Sequence, residues 1–272
     1  MEKLKPDTIP GLKKGDKVAL ALSGGLDSVT LLHYLATIVG PENVYAMSFC
    51  YNQRHDWELQ CAKEQIAILN IPEENYSVID VSFMGDIAKN VSSMVKSDIR
   101  VPDAEEVIGD PQPSSYMPFR NLIFFSMLAC FAESNGCSKI SLGIQETDSL
   151  NYWDTTKSFA DALQKVLNLN RKNPIEILTP FVNASKAEEI ELGNKLGLRY
   201  EYTWSCYNGP SEKDGAPYIN RPTRVKDWVD VKPHACGICT TCKDRRNAFL
   251  QQGLVDPLPY LDEKLSRLIY LD

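Results

Sequence analysis

Residues 18–28, Val18-Ala19-Leu20-Ala21-Leu22-Ser23-Gly24-Gly25-Leu26-Asp27-Ser28, decide how this chain is read. The first five form an apolar run of the length of a buried strand, and residues 29–39 have the length and leucine content of a helix. A strand, small residues and a helix start together make an anion site. Glycines let the backbone turn sharply and approach a ligand, while the first helical amides lack intrahelical partners and point outward. Ser23 and Ser28 add hydroxyl donors. Asp27 is the informative residue: phosphate repels a carboxylate unless a cation stands between them, so the loop predicts Mg²⁺ arriving with a nucleotide. No Lys-Ser or Lys-Thr follows the glycines, so the Walker pattern is not met.

Outward from the loop, residues 43–49 read as a second strand, 58–70 as a helix with Leu59, Ala62, Ile66 and Leu69 on one face, and 75–81 as a third strand. Such alternation predicts an α/β fold with a doubly wound parallel sheet. Residues 82–117 lose the rhythm and contain Pro102, Pro111 and Pro113, which predicts a long excursion over the ligand edge of the sheet. An apolar helix over 122–134, a strand over 139–143, a helix over 156–169, a short strand ending near Leu178 and a helix over 186–196 follow. Ser185 and Glu188 are placed as a capping box for the last of these.

The 272 residues are 43% hydrophobic and 24% charged, ordinary for a globular chain with a sizeable core. No apolar run is long enough to span a bilayer, and residues 1–10 carry charges and prolines where a signal peptide would be apolar, so a cytoplasmic protein without a membrane partner is expected. A net charge of −7 argues against a protein that wraps nucleic acid.

Ligands of open α/β sheets gather beyond the carboxyl ends of the strands. Asn52, Gln53, Arg54 and His55 follow the second strand, Gln145, Glu146, Thr147 and Asp148 follow the 139–143 strand, and Arg120 and Asn121 open the apolar helix. Each cluster is a candidate for ligand contact, although surface loops are polar in any case. Cys236, Cys239 and Cys242 have the spacing that one tetrahedral metal collects. Cys206 completes a four-thiolate shell of the kind structural zinc prefers, with His234 as the rival fourth ligand. Cys50, Cys61, Cys130 and Cys137 are expected in the core.

The spacing Ser-Gly-Gly-x-Asp-Ser resembles the pyrophosphate loop of the N-type ATP pyrophosphatases. Over most of the chain the sequence further resembles the 7-cyano-7-deazaguanine synthase family of the queuosine pathway. The resemblance rests on residues 23–28, Tyr51-Asn52-Gln53-Arg54-His55, Pro118 with Arg120-Asn121-Leu122, and Gly143 with Glu146-Thr147-Asp148 and Asp154. Thr179-Pro180, Lys186-Ala187-Glu188 and Cys206-Tyr207-Asn208-Gly209 with the later cysteines extend it. It implies an ATP pyrophosphatase domain over residues 1–205 and a small zinc-binding subdomain over 206–272. Ser23, Gly24, Gly25, Asp27 and Ser28 would bind ATP, and Asp27, Lys186 and Arg120 would serve catalysis. Asn52, Gln53, Arg54, His55, Asn121, Glu146, Asp148 and Asp154 would bind 7-carboxy-7-deazaguanine, with Tyr51 or Phe119 as an aromatic face. The implied reaction adenylates the carboxyl group, lets ammonia displace AMP, and dehydrates the amide to the nitrile after a second activation.

Three features depart from the family pattern. Phe119 stands where the family usually has glycine. Residues 149–156 keep Tyr152 and Asp154 but lack the usual Gly, Pro, Cys and Arg. Residues 210–235, with Arg221, Arg224, Lys226, Trp228 and Lys232, exceed the family's short connection and leave room for a protein partner, a nucleic acid or a surface elaboration. The residues therefore also admit a diverged relative that stops at the amide or joins the deazaguanine to a protein amine, in phage defence or nucleic-acid modification. A catalytically silent zinc-and-nucleotide module and a homodimer remain open as well.

Overall fold

The computed structural model describes residues 4–145, 152–213, 215 and 233–262. Glu146, Asp148 and residues 216–232 of the insert lie outside the described residues.

Five strands form one parallel sheet: β1 (Val18–Ala21), β2 (Val44–Cys50), β3 (Tyr76–Asp80), β4 (Lys139–Ser141) and β5 (Glu176–Leu178), in the order β3-β2-β1-β4-β5. The helices are α1 (Leu26–Val39), α2 (Glu58–Ile68), α3 (Phe83–Ala88), α4 (Arg120–Ser134), α5 (Lys157–Leu167), α6 (Lys186–Lys195) and α7 (Thr240–Gln251). Side chains alternate between the faces of a strand, and alternate residues of β1 and β2 enter different cores. Val18, Leu20, Val44 and Ala46 pack with α1, α2, α6 and α7, whereas Ala19, Tyr45, Met47 and Phe49 pack with α3, α4 and α5. Burial on both faces explains why β1 reads as a continuous apolar run and not as an alternation.

The expected order of strands and helices is present, with differences at the ends. Helix α1 begins at Leu26, earlier than the leucine pattern suggests, because Gly25 adopts the extended N-cap geometry and leads directly into the helix. Asp27 and Ser28 thus occupy its first turn. Ser185 caps α6 as expected: its Oγ accepts from the Glu188 amide (3.3 Å), and Glu188 Oε2 accepts from the Ser185 amide (2.9 Å). Helix α7 starts within the cysteine cluster, with Cys239 as its N-cap and Cys242 in its first turn, and was not evident from the sequence, since its polar residues give it no continuous apolar stripe. Cys61 and Cys137 are buried, but Cys130 is exposed, on the side of α4 opposite the buried Phe125, Leu128, Ala129 and Ala132. Cys50 is only half-buried.

The excursion over residues 82–117 is tied down at several points. Arg54 donates to the carbonyls of Ser93 and Ile99, both at 2.8 Å, and to that of Ser97. The Ala104 amide reaches Ile238 O at 3.1 Å, and Glu105 pairs with Lys243 of α7. No helix among the described residues is long and apolar enough to cross a membrane.

Candidate active site and metal cluster

The sequence 23–28 sits at the carboxyl end of β1, between β2 and β4, where the strand order reverses direction. That switch point opens a crevice in any doubly wound sheet. The loop holds its own shape. Ser28 Oγ accepts from the amides of Ser23 and Gly24 at 3.2 Å, donates to Gly25 O at 3.2 Å, and lies 3.0 Å from Ser23 Oγ. Gly24 has φ +94°, and a Cβ there would stand 1.9 Å from Glu58 O, so only glycine fits between this turn and the start of α2. Gly143, after β4, lets that strand end approach the first turn of α1, because a Cβ would meet the Asp27 backbone at 3.2 Å.

The cleft above the loop has a volume of about 230 Å³. Ser23, Gly25, Asp27, Ser28 and Lys186 line it together with Tyr51, His55, Arg120 and Asn121. Lys186, the first residue of α6, is buried and places Nζ 3.5 Å from Asp27 Oδ1. Burial raises the pKa of Asp244 on α7, with the Lys186 charge lowering it and that of Asp27 raising it, so a second carboxyl lies in the field of this pair. Arg120 is half-buried in the cleft wall. Burial opposes its charge, but Tyr51, Tyr207 and Asp154 together hold its pKa above the ordinary arginine range. Asn121 lines the cleft and donates Nδ2 to Asp154 O at 3.2 Å, while Asp154 itself is buried behind it.

An aromatic wall completes the cleft. Phe49 and Phe124 stack with centroids 3.9 Å apart, and Tyr51 tilts against Phe124 at 5.6 Å. Tyr51 Oη lies 3.2 Å from His55 Nε2, which is 3.5 Å from Glu58 Oε1. Burial drives the pKa of His55 down to about 3 and that of Glu58 up to about 8, so both are largely neutral near pH 7.

Not all residues singled out from the sequence meet there. Gln53 is wholly buried, and its amide is occupied by the Tyr51 amide (2.9 Å), Phe49 O (3.0 Å) and Glu58. Arg54 clamps the excursion, and Asn52 adopts φ +63° outside the cleft lining. Phe119 is also outside it; its φ of +53° accounts for a family preference for glycine at this position, and its ring meets Trp153 edge-on at 5.6 Å. Sequence reasoning missed Glu58, Trp204, Ser205, Tyr207 and Thr241 in the cleft wall. A glutamate in a first helical turn reads as a complement to the helix dipole, so Glu58 gave no separate signal.

Cys206, Cys236, Cys239 and Cys242 converge, with all four Sγ atoms within 4.8 Å of one another. Cys236 and Cys242 are 3.8 Å apart, the edge length of a tetrahedron with metal–sulfur bonds of about 2.3 Å. The four thiols form a donor set that fits one tetrahedral metal ion. His234 is not part of it; its backbone pairs with Ser211. Thr241, between two of the cysteines, donates to Ser205 O at 2.7 Å, which joins the cluster to the cleft wall.

The sequence model for the queuosine biosynthesis protein QueC family matches residues 17–253. The chain belongs to that family. The 7-cyano-7-deazaguanine synthase of Clostridium kluyveri is 37% identical over 254 residues, spanning 91% of this chain and 99% of that protein. The 7-cyano-7-deazaguanine synthase of Acaryochloris marina is 36% identical over 250 residues, spanning 90% and 99%. Membership makes the chain an enzyme of queuosine biosynthesis in a family that uses ATP. NMN synthetase from Francisella tularensis overlaps it with a TM-score of 0.43 at 15% identity, covering 88% of this chain and 85% of that one.

Proposed function

We propose that the protein converts 7-carboxy-7-deazaguanine into 7-cyano-7-deazaguanine, acting as an ATP-dependent C–N ligase in the cytoplasm. The observation that carries this reading is the single cleft in which a phosphate-type loop, a buried lysine and an aromatic recess with a half-buried arginine meet.

A carboxylate resists attack by nitrogen because oxide is a poor leaving group. In the first half-reaction a carboxylate oxygen bonds to the α-phosphorus of ATP and the bond to the β-bridging oxygen breaks, releasing pyrophosphate. Ammonia then bonds to the acyl carbon, AMP leaves, and the nitrogen loses a proton to give the amide. A second adenylation, on the amide oxygen, lets AMP leave again as two further protons come off nitrogen, giving the nitrile. The Ser23 and Ser28 hydroxyls and the first amides of α1 hold the phosphates, with Gly24 and Gly25 giving them close approach. Lys186 offsets charge on the departing pyrophosphate, and Asp27 orients Lys186. Bound Mg²⁺ would neutralise phosphate charge beside Asp27. Arg120 faces the anionic carboxyl group of the substrate, and Asn121, braced by Asp154, offers a polar edge. Zn²⁺ on the four thiolates would staple residues 206–272 to the ATP domain of residues 1–205 as a structural ion.

Purified protein given ATP, Mg²⁺, ammonia and 7-carboxy-7-deazaguanine should release pyrophosphate and form nitrile detectable by mass spectrometry. Pyrophosphate with amide as the final product would remove the dehydration step, and no pyrophosphate would reject the proposal.

A further inference from the structure

Glu58 is a buried carboxyl group on the cleft wall with little to hold it. It is 8% exposed and lies in the first turn of α2. Oε1 accepts one long bond from Gln53 Nε2 (3.4 Å) and lies 3.5 Å from His55 Nε2, while Oε2 has no hydrogen-bond partner among the described residues. A buried carboxyl normally accepts several hydrogen bonds, and each unmade one costs free energy. Gln53 Nε2 is split between Phe49 O and Glu58, and Glu58 lines the cleft with this capacity unused.

The influences on the group oppose one another. Burial is the largest influence and keeps Glu58 protonated in the empty cleft, but the Gln53 hydrogen bond and the Arg120 charge both act the other way, with only Asp56 assisting burial. A ligand that brings two N–H donors would tip this balance to the carboxylate. The stacked rings of Phe49 and Phe124, with Tyr51 against them, provide the flat apolar wall that a planar heterocycle needs.

We infer that Glu58 reads the pyrimidine edge of the substrate, its two oxygens accepting from the ring N–H and the adjacent 2-amino group. This assignment rests on the proposed substrate. A 2-amino-4-oxopyrimidine ring presents those two donors side by side, which matches a carboxylate bidentately. Adenine does not, since its amino group adjoins an acceptor nitrogen. Glu58 thereby separates the two bases that the enzyme handles, and a ring without the 2-amino group leaves one oxygen unpaired.

The test measures pyrophosphate release with the deazaguanine acid and with its analogue lacking the 2-amino group, in wild type and in Glu58→Gln. Wild type should prefer the natural acid by about 10-fold or more in kcat/KM, the scale of one hydrogen bond to a charged group. In Glu58→Gln the KM for the acid should rise about 10-fold or more, the KM for ATP should stay within about threefold, and the preference between the two acids should shrink. Equal use of both acids by wild type overturns the assignment, and this arm decides even if the variant does not fold. A rise in the KM for ATP in place of the acid overturns it too, by placing Glu58 against adenine. Absence of pyrophosphate with both acids overturns the proposed function and the assignment together, a result distinct from release without discrimination.

Discussion

The phosphate-type loop lines the cleft and the cysteine cluster stands behind its wall, and the two are assembled differently. In the loop, Ser28 Oγ gathers the amides of Ser23 and Gly24 from within one turn of chain, and the main contribution from afar is the Trp204 amide, which donates to Gly24 O at 3.0 Å. The cluster collects Cys206 and, across a separation of 30 residues, Cys236, with Cys239 and Cys242 beyond it. Its neighbours Trp57, Trp204 and Tyr260 form a small core of their own. The loop can therefore lose chemistry without losing structure, whereas the cluster holds structure on which the chemistry leans, because Ser205, Tyr207 and Thr241 wall the cleft.

The largest expected effect falls on the cluster. Cys239→Ser should abolish stoichiometric metal by elemental analysis and lower Tm by about 10 °C or more, since structural metal binding is itself folding free energy. Metal retained at full stoichiometry would break the contrast by removing the four-thiolate assignment. Next, Lys186→Met should reduce the rate of pyrophosphate release by about 100-fold or more while Tm moves by only a few degrees. A large fall in Tm with unaltered turnover of the folded fraction would show Lys186 to be structural.

A smaller effect concerns Glu58. Its pKa in the fold, about 8, lies above the ordinary value of 4.5, so the folded chain keeps a proton that the unfolded chain has lost. The group therefore weakens the fold as pH rises from about 5 to about 8, by at most about 1.4 kcal/mol per pH unit. Glu58→Gln, which carries no charge at any pH, should gain Tm relative to wild type across that window and show no gain below pH 4. A constant difference at all pH values would contradict the buried neutral carboxyl. The smallest change is expected for Phe119→Gly. Relief of the left-handed backbone, about 1 kcal/mol, is set against loss of the Trp153 ring contact of similar size, so Tm should shift by no more than about 3 °C.

Much of the site was legible wherever the information lies in contiguous spacing. Residues 23–28 declared themselves by glycine and hydroxyl positions, α6 by Ser185 and Glu188, and the metal cluster by cysteine intervals. Residues 52–55 were less legible. His55 reaches the cleft, but Gln53 and Arg54 spend their donors on backbone carbonyls of Phe49, Ser93 and Ile99. A polar residue at a strand end looks the same in sequence whether it serves the ligand or the loop beside it. Helix α7 was invisible for a related reason: Arg245, charged and fully buried, is balanced by Asp256 at 2.8 Å and by Thr203, partners that no periodicity reveals.

By itself the sequence settled the parallel α/β order, the glycine and serine turn at the end of β1 and three of the clustered thiols, because each depends on residue types at short fixed intervals; Cys206 in place of His234 waited for the fold. Only the tertiary structure decided that Lys186 faces Asp27, that Arg120 stands among Tyr51, Tyr207 and Asp154, and that Glu58 lines the cleft with a single long hydrogen bond. Burial and hydrogen-bond saturation are properties of neighbours brought together from distant segments. Which polar atoms remain available to a ligand is therefore known only once those neighbours are in place.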